Sequence, residues 1–270
     1  MTLQDQFITE RKYLQNVTAA TIKWYESSFK AFNGATDSVE TAKQRIIELR
    51  DRGLSPTSVN VHLRCIRAFW RWQGKDWKIP RLKEEQKILS TLTADHIRRI
   101  IHFKAIRRNE TRVATLAITA LDTGMRIQEL LGLTRQDVDV DNMVIRVHGK
   151  GNKQRLVPMS IELRKVLYRH LSKHNHPRLF ATLRGTSVTA RNADRDFKVV
   201  CRKLGIAGVR CSFHTLRHSF AVNYLRAGGN IYYLQRILGH SSITTTERYL
   251  RSLGIDDIQK VHDGLSLLSR

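Results

Sequence analysis

This sequence is short of acidic residues, paired cysteines and long apolar runs, and each shortage closes off a class of protein. Asp and Glu number 24 against 47 Lys and Arg in 270 residues, a formal net charge of +23. An excess this large implies a polyanionic partner. With phosphates, association gains from counterion release and weakens steeply as salt rises. Three cysteines, Cys65, Cys201 and Cys211, are odd in number and lack CxxC spacing, which argues against a secreted disulfide framework and against a zinc site. There is no run of about 18 apolar residues and no signal-peptide pattern at the N-terminus. The expectation is therefore a cytoplasmic protein with no membrane partner, no bound metal and no cofactor. Internal repeats and low-complexity tracts are missing as well.

What is present divides into two parts, 1–88 and 89–270. In the first, Ile22, Tyr25, Phe29 and Phe32 recur at helical spacing behind a Thr18 cap. Ser55-Pro56 starts another helix, with Ser as N-cap and Pro in the first turn. Its apolar stripe, Val59, Leu63, Ile66, Phe69 and Trp70, is interleaved with Arg64, Arg67 and Arg71. The stripe reads as core; the arginines are either solvated or grip phosphate. Between Gly74 and Ser90 the pattern loosens around Pro80, and Lys75, Lys78, Arg81 and Lys83 crowd the segment. That stretch reads as a plain linker or as a basic strap lying along a duplex.

The second part begins with a helix capped by Thr93, and Thr111 to Leu121 continues the helical pattern up to Gly124. Met143 to Val147 is β-rich and Arg155 to Pro158 returns across a Gly-rich turn holding Lys150, which predicts a hairpin or small sheet. Helices dominate afterwards. Leu234, Ile237 and Leu238 lie on a short one before Gly239-His240. The tail Ile255, Ile258, Val261, Leu265 and Leu268 has the spacing of an amphipathic helix that buries against its own domain or a neighbouring subunit. The fold expected is mainly α with a small β-sheet.

Several short motifs carry chemistry: Thr123-Gly-Met-Arg126-Ile-Gln-Glu129, His148-Gly-Lys150-Gly, His214-Thr-Leu-Arg217-His218, Leu238-Gly239-His240 and Thr246-Glu-Arg-Tyr249. Together they offer what a phosphodiester attacked without metal requires: cations for the phosphorane oxygens, proton donors and acceptors, and a nucleophile. Taken singly, each has a bland reading. Tyr249 is an ordinary half-buried helix tyrosine, Arg217-His218 a surface pair, and Gly239-His240-Ser-Ser the turn of a helix-turn-helix. The case rests on the whole set.

On those motifs the chain resembles the tyrosine recombinases, the phage-integrase family that includes the Xer-type enzymes. The resemblance runs from about Leu92 to Leu250, and the helical first part resembles that family's core-binding domain. It implies a helical N-terminal core DNA-binding domain followed by an α+β catalytic domain. It further implies six catalytic residues: Arg126, Lys150, His214, Arg217, His240 and Tyr249. Tyr249 would attack the scissile phosphate to leave a 3′-phosphotyrosyl bond, which conserves the phosphodiester energy without ATP. Arg126 and Arg217 would hold the non-bridging oxygens. His214 would take the phenol proton, Lys150 would protonate the departing 5′-oxygen and His240 would hydrogen-bond the phosphate. Glu129 would orient its neighbours, Arg126 or His214. His218 is not among the matched positions, and its place beside Arg217 leaves its role open.

The resemblance implies double-stranded DNA as partner and a tetrameric synapse docked through the C-terminal helix. It serves integration or excision of a mobile element, or resolution of DNA multimers. Two other classes stay open at this point, a type IB topoisomerase-like enzyme and a DNA-binding regulator without catalysis.

Overall fold

Side-chain caps set most of the helix boundaries. The structure, a computed structural model, describes residues 1–85, 90–149 and 154–265. Its contacts divide it into two compact units, Met1–Lys87 and Ile88–Arg270; the boundary read from the sequence falls outside the described residues.

The first unit comprises α1 (Leu3–Tyr13), α2 (Ala19–Phe32), α3 (Val39–Asp51) and α4 (Pro56–Trp72). Thr2, Thr18, Ser38 and Ser55 each accept a backbone N–H of the first turn, satisfying donors that have no partner within the helix. The fully buried Phe7 sits edge-on to Tyr25, Phe29 and Phe69, 5.0 to 6.0 Å between centroids. Burying such a ring contributes roughly 2–3 kcal/mol. The α4 stripe is core throughout, and Trp70 Nε1 donates to the Thr36 carbonyl at 2.7 Å.

The segment after α4 is not a loose linker. Trp77, Ile79 and Leu82 pack on the first unit's core. Asn60 clamps the backbone by accepting the Leu82 N–H and donating to the Leu82 carbonyl, both at 2.9 Å. Apolar residues set among four basic ones, and so missed in the sequence reading, dock this stretch.

In the second unit, α5 (Ala94–Ile101), α6 (Arg108–Thr123) and α7 (Ile127–Gly132) lead into a three-stranded antiparallel sheet of order β1-β2-β3. Its strands are β1 (Val138–Asp139), β2 (Val144–His148) and β3 (Gln154–Pro158). Ile145, Val147 and Val157 face the core while Arg146 and Leu156 face out, the period-2 alternation of a half-buried sheet. The remaining helices are α8 (Ile161–Leu171), α9 (Ala190–Lys203), α10 (Phe213–Arg226), α11 (Ile231–Leu238), α12 (Thr244–Glu247) and α13 (Ile255–Leu265). Helix α6 is the hub, packed by α5, α8, α9 and α10. Its buried Thr115, Thr119 and Thr123 donate to carbonyls one turn earlier, so no hydroxyl is left unpaired there.

Among the tail residues, Asp257 accepts from Arg226 Nε at 3.1 Å, tying α13 to α10. Ile255 and Ile258 stay 75% and 54% exposed, so the apolar face is only partly covered by its own unit. Leu268 lies outside the described residues.

Candidate active site

Helix α11 ends at Gly239, whose left-handed backbone (φ 64°, ψ 45°) leaves the last carbonyls of the helix without helical partners. Three arginines from separate elements fill that vacancy. Arg155 Nε on β3 donates to the Ile237 carbonyl at 2.8 Å. The Leu238 carbonyl receives Arg126 Nη1 at 3.2 Å and Arg217 Nη2 at 2.9 Å, and Gly239 receives Arg126 Nη2 at 3.3 Å. The negative end of the helix dipole thus gathers cations that would otherwise repel one another. Two sequence-predicted arginines, 91 residues apart in the chain (217 − 126), meet on one oxygen atom.

Each guanidinium is aimed by a second contact. Arg217 is 4% exposed and Nη1 donates to the Gly124 carbonyl at 2.8 Å. Burial, then the neighbouring charge of Arg126, pulls its pKa down to about 10, so it stays a cation at neutral pH. Arg126 caps α7 and pairs through Nη1 with Glu129 Oε1 at 3.0 Å, while its own N–H donates to Oε2 at 2.9 Å. Burial pushes the Glu129 carboxyl up. Hydrogen bonds from Arg155 and the Arg126 backbone, with both charges, outweigh that and leave it below the ordinary range.

His240 is locked. A guanidinium can only donate, so His240 Nε2, 2.9 Å from Arg217 Nη2, is the acceptor; Nδ1 then carries the proton and donates to Thr246 Oγ1 at 2.9 Å. Burial, followed by the charges of Arg217, Arg126, Arg248 and Arg155, pushes this imidazole down to about 4.

Tyr249 follows α12 and is 2% exposed, packed with Ala221, Val222, Leu225, Leu234 and Leu238. Its ring is not simply core. It stacks on His240 at 6.3 Å and 12°, and its hydroxyl lies 3.3 Å from His218 Nδ1. The Arg217 guanidinium is favoured by the hydroxyl's proximity. His214 is exposed on the first turn of α10, its ring 6.4 Å from that of His218.

Five of the six matched positions are therefore linked: Arg126, Arg217, His240 and Tyr249 by direct contacts, and His214 through His218. Lys150 lies outside the described residues. Glu129 holds Arg126, as expected, and also Arg155, which the sequence reading did not single out. Arg155 looks like any strand arginine until its fork meets Glu129. Thr246 escaped notice in the same way. Among the described residues no group of three or more His, Cys, Asp or Glu could hold a metal ion, and no helix is long and apolar enough to cross a membrane.

Six of the seven basic residues singled out in the first unit have partners inside that unit. Arg67 donates to the Ile79 carbonyl and Arg71 Nε to the Arg67 carbonyl. Arg64 lies over the Trp24 ring at 4.7 Å and Lys75 over Trp77 at 4.0 Å. Lys78 pairs with Asp76 and Arg81 with Glu84, while Lys83 is exposed. Arg67 is thereby committed to holding the segment that follows its helix; the others keep exposed or half-exposed heads.

Arg217, the half-exposed Arg126, the locked His240 and the caged Tyr249 thus form one connected cluster. Residues 90–254 match the phage integrase family, and the chain belongs to it. Within that family it is a site-specific tyrosine recombinase of Xer-like type. It is 30% identical over 269 residues to tyrosine recombinase XerC of Corynebacterium glutamicum, covering 92% of this chain and 86% of that protein. It is 28% identical over 246 residues to tyrosine recombinase XerA of Thermococcus kodakarensis, covering 88% and 85%. In fold it resembles the Tn1549 transposon integrase solved with circular intermediate DNA, with a TM-score of 0.80 at 22% identity and coverage of 98% and 100%. Family membership decides for a recombinase among the three classes the sequence left open.

Proposed function

We propose that this chain cuts and rejoins duplex DNA at a specific site, with Tyr249 forming a 3′-phosphotyrosyl link and releasing a 5′-hydroxyl. The observation that carries the reading is the meeting of Arg126 and Arg217 on the Leu238 carbonyl, with the Tyr249 hydroxyl close enough to act on the Arg217 guanidinium. Two fixed cationic forks at that spot suit the non-bridging oxygens of a phosphate, where negative charge builds in the transition state. His240, neutral and held by Thr246, turns its Nε2 lone pair to Arg217 and so helps fix that fork; to hydrogen-bond the phosphate itself it must first take up a proton on Nε2. His214, at the pocket's exposed side, takes the phenol proton, and Lys150 protonates the departing oxygen. Because Tyr249 is closed off from solvent, the segment from α12 to Tyr249 must shift for attack.

That shift connects catalysis to assembly. The tail helix follows Tyr249 by a few residues and leaves Ile255 and Ile258 uncovered. We assign it to a neighbouring protomer in a tetrameric synapse on two duplexes, in the cytoplasm. The DNA-bound structure of the Tn1549 transposon integrase, similar in fold, supports DNA as the partner. Arg64, Arg71, Lys75, Lys78, Arg81 and Lys83 contribute backbone contacts, which position a duplex without reading its sequence.

The test uses nicked duplexes covering the DNA that flanks the coding region. A covalent adduct that disappears in Tyr249→Phe supports the reading, and strand exchange between two such duplexes completes it. Failure of the wild-type protein to form an adduct on any duplex that it binds overturns it. Ending the chain at Gly254 should impair cleavage or synapsis more than duplex binding; unchanged exchange would remove the role given to the tail.

A further inference from the structure

The hydroxyl of Tyr249 has a hydrogen-bonding partner that is not among the six matched positions. His218 Nδ1 lies 3.3 Å from Tyr249 Oη, with the two rings 5.6 Å apart and tilted by 54°. The other imidazole against this phenol, His240, has no nitrogen to offer: Arg217 uses its Nε2 lone pair and Thr246 takes its Nδ1 proton. The near-parallel stack of His240 on Tyr249 is therefore a contact of faces. His218 differs. It is half-buried, and burial, then the charges of Arg248, His214 and Arg217, pushes it down to about 4, so at physiological pH it is neutral and keeps a ring lone pair.

Its place in the chain explains the fit. His218 directly follows Arg217 on α10, so one rigid helix turns a cationic fork and an acceptor to adjoining sides of the same phenol. The ring of Tyr249 is embedded among Ala221, Val222, Leu225 and Leu234. A buried hydroxyl without an acceptor is costly, and an apolar cage alone would not fix the direction of its oxygen.

We propose that His218 is a positioning residue for the nucleophile, accepting the Tyr249 hydroxyl hydrogen bond at Nδ1 and keeping the phenol oxygen turned to the arginine pocket before DNA arrives. The proposal rests on the reading of Tyr249 as the attacking group. It concerns the resting site: the single O–H hydrogen must turn away from Nδ1 before His214 can take it, so His218 has no part in the proton transfers.

Two substitutions separate hydrogen bonding from packing. His218→Asn sets an oxygen where Nδ1 stands but leaves a smaller side chain; His218→Leu fills the space and has no acceptor. In single-turnover adduct formation on a nicked duplex, His218→Leu should be slower by ~10²-fold, the scale of a misplaced reacting group, with duplex affinity unchanged. His218→Asn should stay within a few-fold of wild type. If the ring only packs, the order reverses, and that reversal, equal losses in both, or no loss in either overturns the proposal. A second readout needs no turnover: with ¹³Cζ-labelled tyrosine, the resonance missing from Tyr249→Phe should move in His218→Leu and hold in His218→Asn, and movement in neither overturns the hydrogen bond. Should the wild type form no adduct on any duplex it binds, the assignment of Tyr249 as nucleophile is what fails, and the resonance still reports whether the hydrogen bond exists.

Discussion

Glu129 and Arg155 face each other as a two-pronged pair, Nη1 to Oε1 at 3.0 Å and Nη2 to Oε2 at 2.9 Å. Their side chains are only 8% and 16% exposed. The same carboxylate holds Arg126, so one acidic residue joins α7, β3 and, through the Arg155 bond to the Ile237 carbonyl, the end of α11. Removing one partner of a buried pair leaves the other charge uncompensated. Glu129→Gln should destabilise the protein by about 3 kcal/mol and slow adduct formation at least tenfold. Urea unfolding and a cleavage time course measure both, and a wild-type denaturation midpoint would show that the strut is dispensable.

Arg217 makes three contacts from one planar fork: the Gly124 carbonyl, the Leu238 carbonyl and His240. An ammonium keeps the charge but lacks that geometry. Arg217→Lys should bind duplex DNA with little change and form adduct slower by ~10²-fold or more, the usual consequence of losing one preorganised donor. Near-normal cleavage by this variant would mean that charge alone suffices.

Gly124 ends α6 with φ +62°, and an added Cβ would meet Phe220 Cδ1 at 2.3 Å and Leu238 Cδ2 at 2.8 Å. A left-handed alanine and an overpacked contact each cost on the order of 1–2 kcal/mol. Gly124→Ala should therefore lower stability by roughly 3 kcal/mol and displace the carbonyl that receives Arg217. Thermal unfolding checks the first part and adduct formation the second. A fully stable, fully active variant would contradict the packing at this turn.

His170, His218 and His240 are each pushed down to about 4, in every case chiefly by burial. The unfolded chain, with ordinary imidazoles near pH 6.5, binds these protons before the folded one does. Linkage then makes stability fall as pH drops through the window from about 6.5 to about 4, with no further loss from these groups below it. Melting temperature against pH in low-salt buffer reads this directly. Replacing His170, which lies outside the arginine pocket, by Gln should flatten the slope; an unchanged slope would show that its titration is not coupled to folding.

The caps at Thr18, Ser55 and Thr93 were legible because a hydroxyl before an apolar run has one evident use, and the structure places a helix behind each. The hairpin around residues 144–158 was legible from its β-rich runs, whereas the two-residue β1 was too short to leave a pattern. The docking of residues 75–85 on α4 was not legible. Trp77, Ile79 and Leu82 stand among lysines, and only Asn60, some twenty residues away, shows which way they turn.

By itself the sequence determined the chemical inventory: the cations, imidazoles and phenol, their order in the chain, and the charge excess that calls for a polyanion. Tertiary structure alone decided that Arg126, Arg155 and Arg217 converge on the final carbonyls of α11, that His240 is fixed in one tautomer, and that Tyr249 rests against His218. The reason is physical. A motif specifies which groups exist, but where a guanidinium points depends on which unpaired carbonyl it can reach, and those carbonyls come from distant helices brought together by packing.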